Sequence, residues 1–361
     1  MVYIRRLTSF LMTPLPRLIV CLGVGWFIAK LLHLDYIDDQ PWYRPATSAL
    51  LAVGLYASTH GIVIEQVKKH FRLILLAVTV GVIAKAFITG GLLWGLTGLP
   101  VFFVLGINIA QVDPLAVAAL EKTKMSVLAM SLLGAWSSFD DPMTVLLGLY
   151  TPPLMVAPAP GAEPIVAGGL GGYVLALGLN LAFALLVFLV WKFTRRSLSN
   201  TLLVLFAGYA LLAMSFATAI MCLMMLGLAI IGLFLRPEKF DRVIDAAVKV
   251  ALVLATLLLG MLLVYGINIW FGLMLGVVGY FAHTLVAIPL TRKLPWADRV
   301  NLAFAQQNGI TAIILALLFE PSYPGTVAII APAIVVINTL HAICNKWVVP
   351  RVIALRPVAA A

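Results

Sequence analysis

The sequence predicts an all-helical, polytopic membrane protein of about twelve transmembrane helices, with inverted repeats and two broken helices in spans four and eleven. Three observations predict it. The 361 residues are 63% hydrophobic and 11% charged, with a mean hydropathy of +1.09, a balance foreign to soluble domains. Apolar runs near the ~20 residues needed to cross a bilayer recur from end to end, without the alternating pattern of a membrane barrel. Basic residues gather in every second short loop, as in the cytoplasmic loops of helical membrane proteins.

The first span covers about Leu18 to Leu34. The second, from about Thr47 to Val67, is weakly hydrophobic and holds His60 and Glu65. The third, about Leu73 to Leu96, contains Lys85, which either pairs with a core carboxylate or, the reading preferred, lies near an end or lines a crevice, and which is given no role. The fourth runs from about Val101 to Leu120 and is interrupted by Asp113-Pro114. The fifth, about Met125 to Tyr150, carries Asp140-Asp141. Thr151 to Gly172 is rich in Pro and Gly and reads as a loop. The sixth span covers about Tyr173 to Phe193. The seventh and eighth, Thr201 to Ser215 and Ala217 to Leu235, are split by a very short turn. The ninth and tenth are about Val243 to Val264 and Trp270 to Leu290. The eleventh, about Val300 to Phe319, is interrupted by Gln306-Gln307-Asn308-Gly309, and the twelfth covers about Val327 to Val348.

Orientation follows from Lys and Arg. Arg5, Arg6 and Arg17 precede span one, and Lys346 and Arg351 follow span twelve. Between them lie Lys68, Lys69 and Arg72, then Lys122 and Lys124, then Lys192, Arg195 and Arg196. Arg236, Lys239 and Arg242 come next, then Arg292, Lys293 and Arg299. With an even span count all share one side, which places both termini in the cytoplasm of a cell (inner) membrane. The opposite loops hold Asp35, Asp38, Asp39, Glu163 and Glu320, with Arg44 the only base. The net charge of +10 is thereby spent on topology and does not argue for nucleic acid. Cys21, Cys222 and Cys344 are widely spaced in apolar runs, which suggests neither a disulfide framework nor a metal site. Arg5 and Arg6 are not followed by a small-residue cleavage site, so no removable signal peptide is expected.

Asp140 and Asp141 stand side by side in an apolar helix. A charged side chain there costs about 2.5–3.5 kcal/mol on insertion scales and marks ion or proton pathways. Like charges held close can retain a proton near neutral pH, so the pair suits a site that takes either a proton or a small cation. Pro114 removes a backbone donor, and Asn308-Gly309 favours unwinding. Discontinuous helices in matching positions of two halves point to a transporter site. Spans three to five and ten to twelve would form the inverted units. If spans four and five pack together, Gln111, Asp113, Ser137, Asp140 and Asp141 converge and offer the oxygens that a hard monovalent cation needs. Cys and His clusters for a transition metal are missing. Asn338, His341 and Asn345 share a face of span twelve and could satisfy the unwound backbone. Trp42, Trp94, Trp270 and Trp296 lie near span ends as interface anchors. No phosphate loop, nucleophile triad or cofactor motif appears, so the chain is not read as an enzyme.

Val112-Asp113-Pro114-Leu115-Ala116-Val117 resembles the T-D-P-V-A-V motif of the monovalent cation/proton antiporters, the sodium/proton exchanger superfamily. Asp140-Asp141-Pro142-Met143-Thr144-Val145 resembles that family's N-D-A-V-T-V. Leu51-Ala52-Val53-Gly54-Leu55 is similar to its F-E-A-G-L helix, and Gly309-Ile310-Thr311-Ala312 to the end of G-L-R-G-A-[IV]-S. The resemblance implies an antiporter that exchanges Na⁺ or Li⁺ for H⁺ by alternating access, in the service of pH homeostasis, with no cofactor. It implies a homodimer in the bilayer, with a core bundle over about 73–150 and 270–348 and a dimerisation bundle over about 18–67 and 173–264. By this resemblance Asp141 is the ion-binding carboxylate, Asp113 the second carboxylate for the transported cation, and Ser137 a ligand hydroxyl. Gln111, Pro114, Gln307, Asn308 and Gly309 would line the unwound helices.

The departures are specific. Asp140 replaces the Asn of the electroneutral branch, and an Asp-Asp pair resembles the electrogenic one. Trp136 and Asn308 replace a Glu and an Arg that pair in the electroneutral branch, a coherent joint loss because losing one alone would strand a buried charge. Ala52 replaces the Glu of F-E-A-G-L. His283 takes the basic position of span ten, where it either pairs with Asp140 and switches near neutral pH or is a neutral, hydrogen-bonded core residue. A K⁺/H⁺ antiporter, a cation channel and an organic-anion transporter on a related scaffold are the alternative functions. Three carboxylates and one histidine in the core favour a cation over an anion.

Overall fold

In the computed structural model, residues 14–34, 36–62, 71–113, 125–151, 156–160, 169–197, 201–237 and 240–355 are described. They are helical, with no strand among them. In chain order the helices are α1 (Pro14–Leu31), α2 (Tyr43–His60), α3 (Phe71–Thr97), α4 (Val101–Ile109) and α5 (Val127–Tyr150). Then follow α6 (Gly169–Ser197), α7 (Thr201–Cys222), α8 (Met225–Gly232), α9 (Asp241–Leu262), α10 (Ile269–Leu290), α11 (Trp296–Ala303), α12 (Ile310–Phe319) and α13 (Thr326–Ala354). Six of them, α3, α6, α7, α9, α10 and α13, are long and apolar enough to cross a membrane.

The division of spans seven and eight differs from the sequence reading. No break occurs at Phe216; α7 continues to Cys222, and the turn falls at Leu223, which adopts φ +53. Ser215 and Thr218 lie inside the continuous helix. Ser215 Oγ donates to Leu211 O at 2.7 Å and Thr218 Oγ1 to Met214 O at 2.9 Å, each hydroxyl bonding back to the preceding turn.

Glycines set the closest approaches between helices. A Cβ built on Gly25 would lie 2.1 Å from Leu257 O, and one on Gly260 2.3 Å from Leu22 O, so the backbones of α1 and α9 touch. Gly106 and Gly90 do the same for α4 and α3, at 2.7 Å from Gly90 N and 2.9 Å from Phe103 Cα. On α10, Gly272 and Gly276 admit Pro332 and Val336 of α13. Gly54 on α2 differs: its neighbours are side-chain atoms of Ile310, Thr311 and Ile314, at 3.8–4.0 Å. This is the small-residue packing expected where apolar lipid removes the hydrophobic drive between helices.

Buried polar side chains tie helix ends. Ser126 caps α5 by accepting from Ala129 N, while its own N and Oγ donate to Asp298 on α11 at 2.9 and 2.6 Å. Beyond α12, Glu320 accepts from Gly325 N at 2.7 Å and Val327 N at 2.6 Å, satisfying the N-terminus of α13. Burial pushes the Glu320 carboxyl up to about 7 against those two donors. The folded state therefore keeps a proton that the unfolded chain releases near 4.5, so this group's contribution falls as pH rises from about 4.5 to 7 and is constant above. Thermal midpoints in detergent should show that decline across pH 5–7 in the wild type and a shallower one in Glu320→Gln; parallel curves would contradict it.

Candidate ion-binding site

The helix α4 stops at Ile109, and residues 110–113 continue without helical structure. On the other side α11 stops at Ala303, residues 304–309 are non-helical, and α12 starts at Ile310. The two irregular segments meet. Asp113 N donates to Gln307 O at 2.9 Å. Gln306 Nε2 donates to Ile109 O at 3.1 Å and to Gln111 O at 2.7 Å, and Asn308 Nδ2 to Ile109 O at 3.2 Å. The carbonyls released at the end of α4 are thus satisfied by amide side chains of the opposite segment, as buried backbone requires.

The helix α13 supports the second segment. Asn338 brackets Asn308, its Oδ1 accepting from Asn308 N at 3.1 Å and its Nδ2 donating to Asn308 O at 3.0 Å. Asn345 Nδ2 donates to Phe304 O at 3.0 Å and contacts His341 Nδ1 at 3.2 Å. The polar face of span twelve does hold irregular backbone, though on the side of residues 304–308.

Gly309 allows the two segments to close. A Cβ on Gly309 would fall 1.4 Å from Asp113 Oδ2 and 2.3 Å from its Cγ, so the Asp113 carboxylate occupies the space where any side chain would begin. Pro114 lies outside the described residues.

The helix α5 carries the paired aspartates, both buried, in different surroundings. Asp140 is saturated with donors. Lys85 Nζ reaches its Oδ2 at 2.7 Å, Val112 N the same oxygen at 3.0 Å, and Trp136 Nε1 its Oδ1 at 3.2 Å. Asp141 has other surroundings, in which the charge of Asp113 acts on it more strongly than that of Asp140 or Lys85. Its Oδ1 has no hydrogen-bond partner among the described residues, and Thr311 Oγ1 and Thr144 Oγ1 also lack one. Gln111 Oε1 and Gln306 Oε1 are further buried oxygens without a partner. Ser137 is fully buried and donates to Gly134 O at 3.1 Å, leaving its lone pairs available.

For Lys85 and His283 the side-chain contacts select one of the two alternatives. Lys85 neither sits at a helix end nor lines an open crevice; it is 1% exposed and is the ion-pair partner of Asp140. His283 does not pair with Asp140. Its Nε2 lies 3.0 Å from Leu302 O and so carries the ring proton toward that carbonyl, its Nδ1 has no partner, and its ring packs against Trp136. The sequence reading did not place Gln306, Thr144 or Thr311 in the site; the amide and hydroxyl beside the break of span eleven, and a hydroxyl three residues after Asp141, were the available signal.

A cavity of about 530 Å³ reaches this crossing. Asp113, Gln307, Asn308, Gly309 and Asn338 line one part of it, and Lys249, Thr256 and Arg17 belong to its α1–α9 wall. It connects a carboxylate at the crossing with basic residues toward the starts of α1 and α9.

Membrane-length helices around buried carboxylates, where non-helical residues 110–113 and 304–309 meet, are an arrangement suited to membrane transport. The sequence places the protein more closely: the family model described as sodium/hydrogen exchanger, transmembrane, matches residues 2–349, and the chain belongs to that family. It is therefore a cation/proton exchanger and not a member of an enzyme class. Its fold is similar to that of the sodium proton antiporter MjNhaP1 from Methanocaldococcus jannaschii. A structure of that protein at pH 8 is 17% identical, with a TM-score of 0.63 over 94% of this chain and 98% of that one. A second, from an electron-microscopy map, is 14% identical, with a TM-score of 0.67 over 100% and 96% of the two chains. No curated protein matches the chain in sequence at a significant level.

Proposed function

We propose that this protein exchanges Na⁺ or Li⁺ for protons by alternating access, with Asp141 as the carrier and Asp113 as the second carboxylate. The observation that carries the reading is Asp141 itself. It is a buried carboxylate with an oxygen lacking any hydrogen bond among the described residues, and Asp113 is the foremost charge acting on it. A buried acceptor of that kind demands a partner. A proton or a small hard cation supplies one, and only one of the two fits at a time. Thr311, Thr144 and Ser137 offer the neutral oxygens such a cation prefers over nitrogen or sulfur.

In this reading the chain crosses the inner membrane twelve times, with both termini in the cytoplasm and spans four and eleven discontinuous. The core covers about 73–150 and 270–348 and the scaffold about 18–67 and 173–264. The homodimer forms through the scaffold, whose α6 and α7 carry long exposed apolar faces. The cavity then opens toward the cytoplasm, because Arg17 belongs to the basic side of the topology and Lys249 lies in the half of α9 that starts there.

The test is cation-driven movement of a pH-sensitive dye in proteoliposomes holding the purified protein. Na⁺ and Li⁺ are expected to drive proton efflux that saturates and reverses with the gradient. A K⁺ response equal to that of Na⁺ would overturn the choice of cation, and a non-saturating current without proton movement would overturn exchange.

A further inference from the structure

We infer that Lys85 and Asp140 form a permanent internal ion pair that makes the extra aspartate electrically silent, so that one cation exchanges for one proton despite the Asp-Asp motif. The inference rests on the exchange reading at Asp141.

The geometry sets the two neighbouring aspartates apart. Lys85 comes from α3 and Asp140 from α5, 1% and 0% exposed, with Nζ 2.7 Å from Oδ2. The same Oδ2 accepts from Val112 N, and Oδ1 accepts from Trp136 Nε1. The Trp136 ring also lies 5.6 Å from Lys85 Nζ, so one side chain braces both partners. Each Asp140 oxygen is engaged, and neither Asp140 nor Lys85 lines the cavity that reaches Asp113. A cation reaching Asp140 would have to displace the ammonium, and loss of the lysine proton would strand a buried carboxylate, the costliest way to break such a pair. His283 is not among the partners of Asp140, which are Lys85, Val112 N and Trp136; its Nε2 bonds Leu302 O instead.

Charge then balances in a simple way. A lysine and an aspartate that keep their charges sum to zero in every state and add nothing to the charge carried across the membrane field. Asp113 and Asp141 remain. Two carboxylates held together share one proton when no cation is bound, giving a net charge of −1. Loss of that proton to water and entry of one Na⁺ gives two carboxylates and one cation, again −1. Both loaded forms carry the same charge, so a full cycle moves none. Lys85 is thus a positioning residue. Through Asp140 and Val112 N it holds residues 110–113 on α5, next to Asp113, while cancelling the charge that the motif adds.

The test compares stoichiometry with rescue. In proteoliposomes with the potential clamped by valinomycin and K⁺, proton flux should vanish when the Na⁺ ratio equals the H⁺ ratio, whatever the potential. Solid-supported membranes should show no sustained current. A null point at the square of the H⁺ ratio, or one that shifts with potential, would overturn the inference. Lys85→Met alone strands Asp140 and should lose at least tenfold in exchange. The double variant Lys85→Met/Asp140→Asn removes both charges and should recover most of that loss with the same null point. A double variant as inactive as the single one, yet monodisperse and thermally intact, would also overturn it. The wild-type null point decides the matter if neither variant folds. Absence of any cation-driven proton movement in the wild type would instead defeat the exchange reading, and this inference with it.

Discussion

Asp141→Asn is expected to reduce cation-driven proton exchange to background while leaving the fold intact. The amide is isosteric, so α5 and its packing need not move. It carries no charge, so it can neither retain a small cation nor exchange a proton at working pH. It also removes a buried charge whose Oδ1 has no hydrogen bond among the described residues, a burden on the folded state. The thermal midpoint should accordingly stay level or rise. Dye dequenching in everted vesicles, with the variant checked for expression and monodispersity, reads the first effect, and a detergent melt reads the second. Full activity in this variant would remove the central claim about the site.

Gly309→Ala should be nearly as damaging by a different route. The added methyl would sit 1.4 Å from Asp113 Oδ2, and neither neighbour can retreat cheaply. Residues 306–308 are fixed by Gln306, Asn308 and Asn338, and Asp113 N is bonded to Gln307 O. Overpacking of this kind costs about 1–3 kcal/mol. Because the displaced group is the second carboxylate, exchange should fall at least tenfold, alongside a lower melting midpoint. Gly134→Ala is the control: nothing lies within 4 Å of its Cβ, on the same helix as Asp141, so both measurements should stay near wild type. Equal behaviour of the two variants would show that the crossing is not tightly held.

The parts of this site set by local sequence were legible. Asp113-Pro114 and Asn308-Gly309 are breakers whose effect lies within a turn, and the chain is non-helical at 110–113 and 304–309. The Asp-Asp pair identified the carboxylates because charge in an apolar helix is rare. Partners could not be read. Lys85 and Asp140 are 55 residues apart, and no pattern within α3 says that its lysine turns to α5. The resemblance placed a basic residue at span ten and so drew attention to His283, whereas the cation beside Asp140 arrives from another helix. The turn between α7 and α8 falls at Leu223 rather than Phe216 because the apolar run over 201–235 holds no proline and no charged residue to mark its place.

The glycine contacts carry a consequence for motion. Where backbone touches backbone, as between α1 and α9 and between α3 and α4, no compliant layer separates the helices. Each couple is welded and must travel as one piece. All of these welds lie within one or the other of the two proposed bundles. Gly54 faces across the seam instead, toward Ile310, Thr311 and Ile314 of α12, at ordinary van der Waals distance from side-chain tips. A surface of branched aliphatic tips can slip by a rotamer at a time, and a backbone weld cannot. In the proposed exchange cycle this face between α2 and α12 would be the one that slips, and the hydrogen bond from Tyr43 Oη to Leu317 O, 2.7 Å long, would be a polar contact broken there. In that cycle Asp113 and Asp141 would move with α12 past the cavity wall that α1 and α9 form.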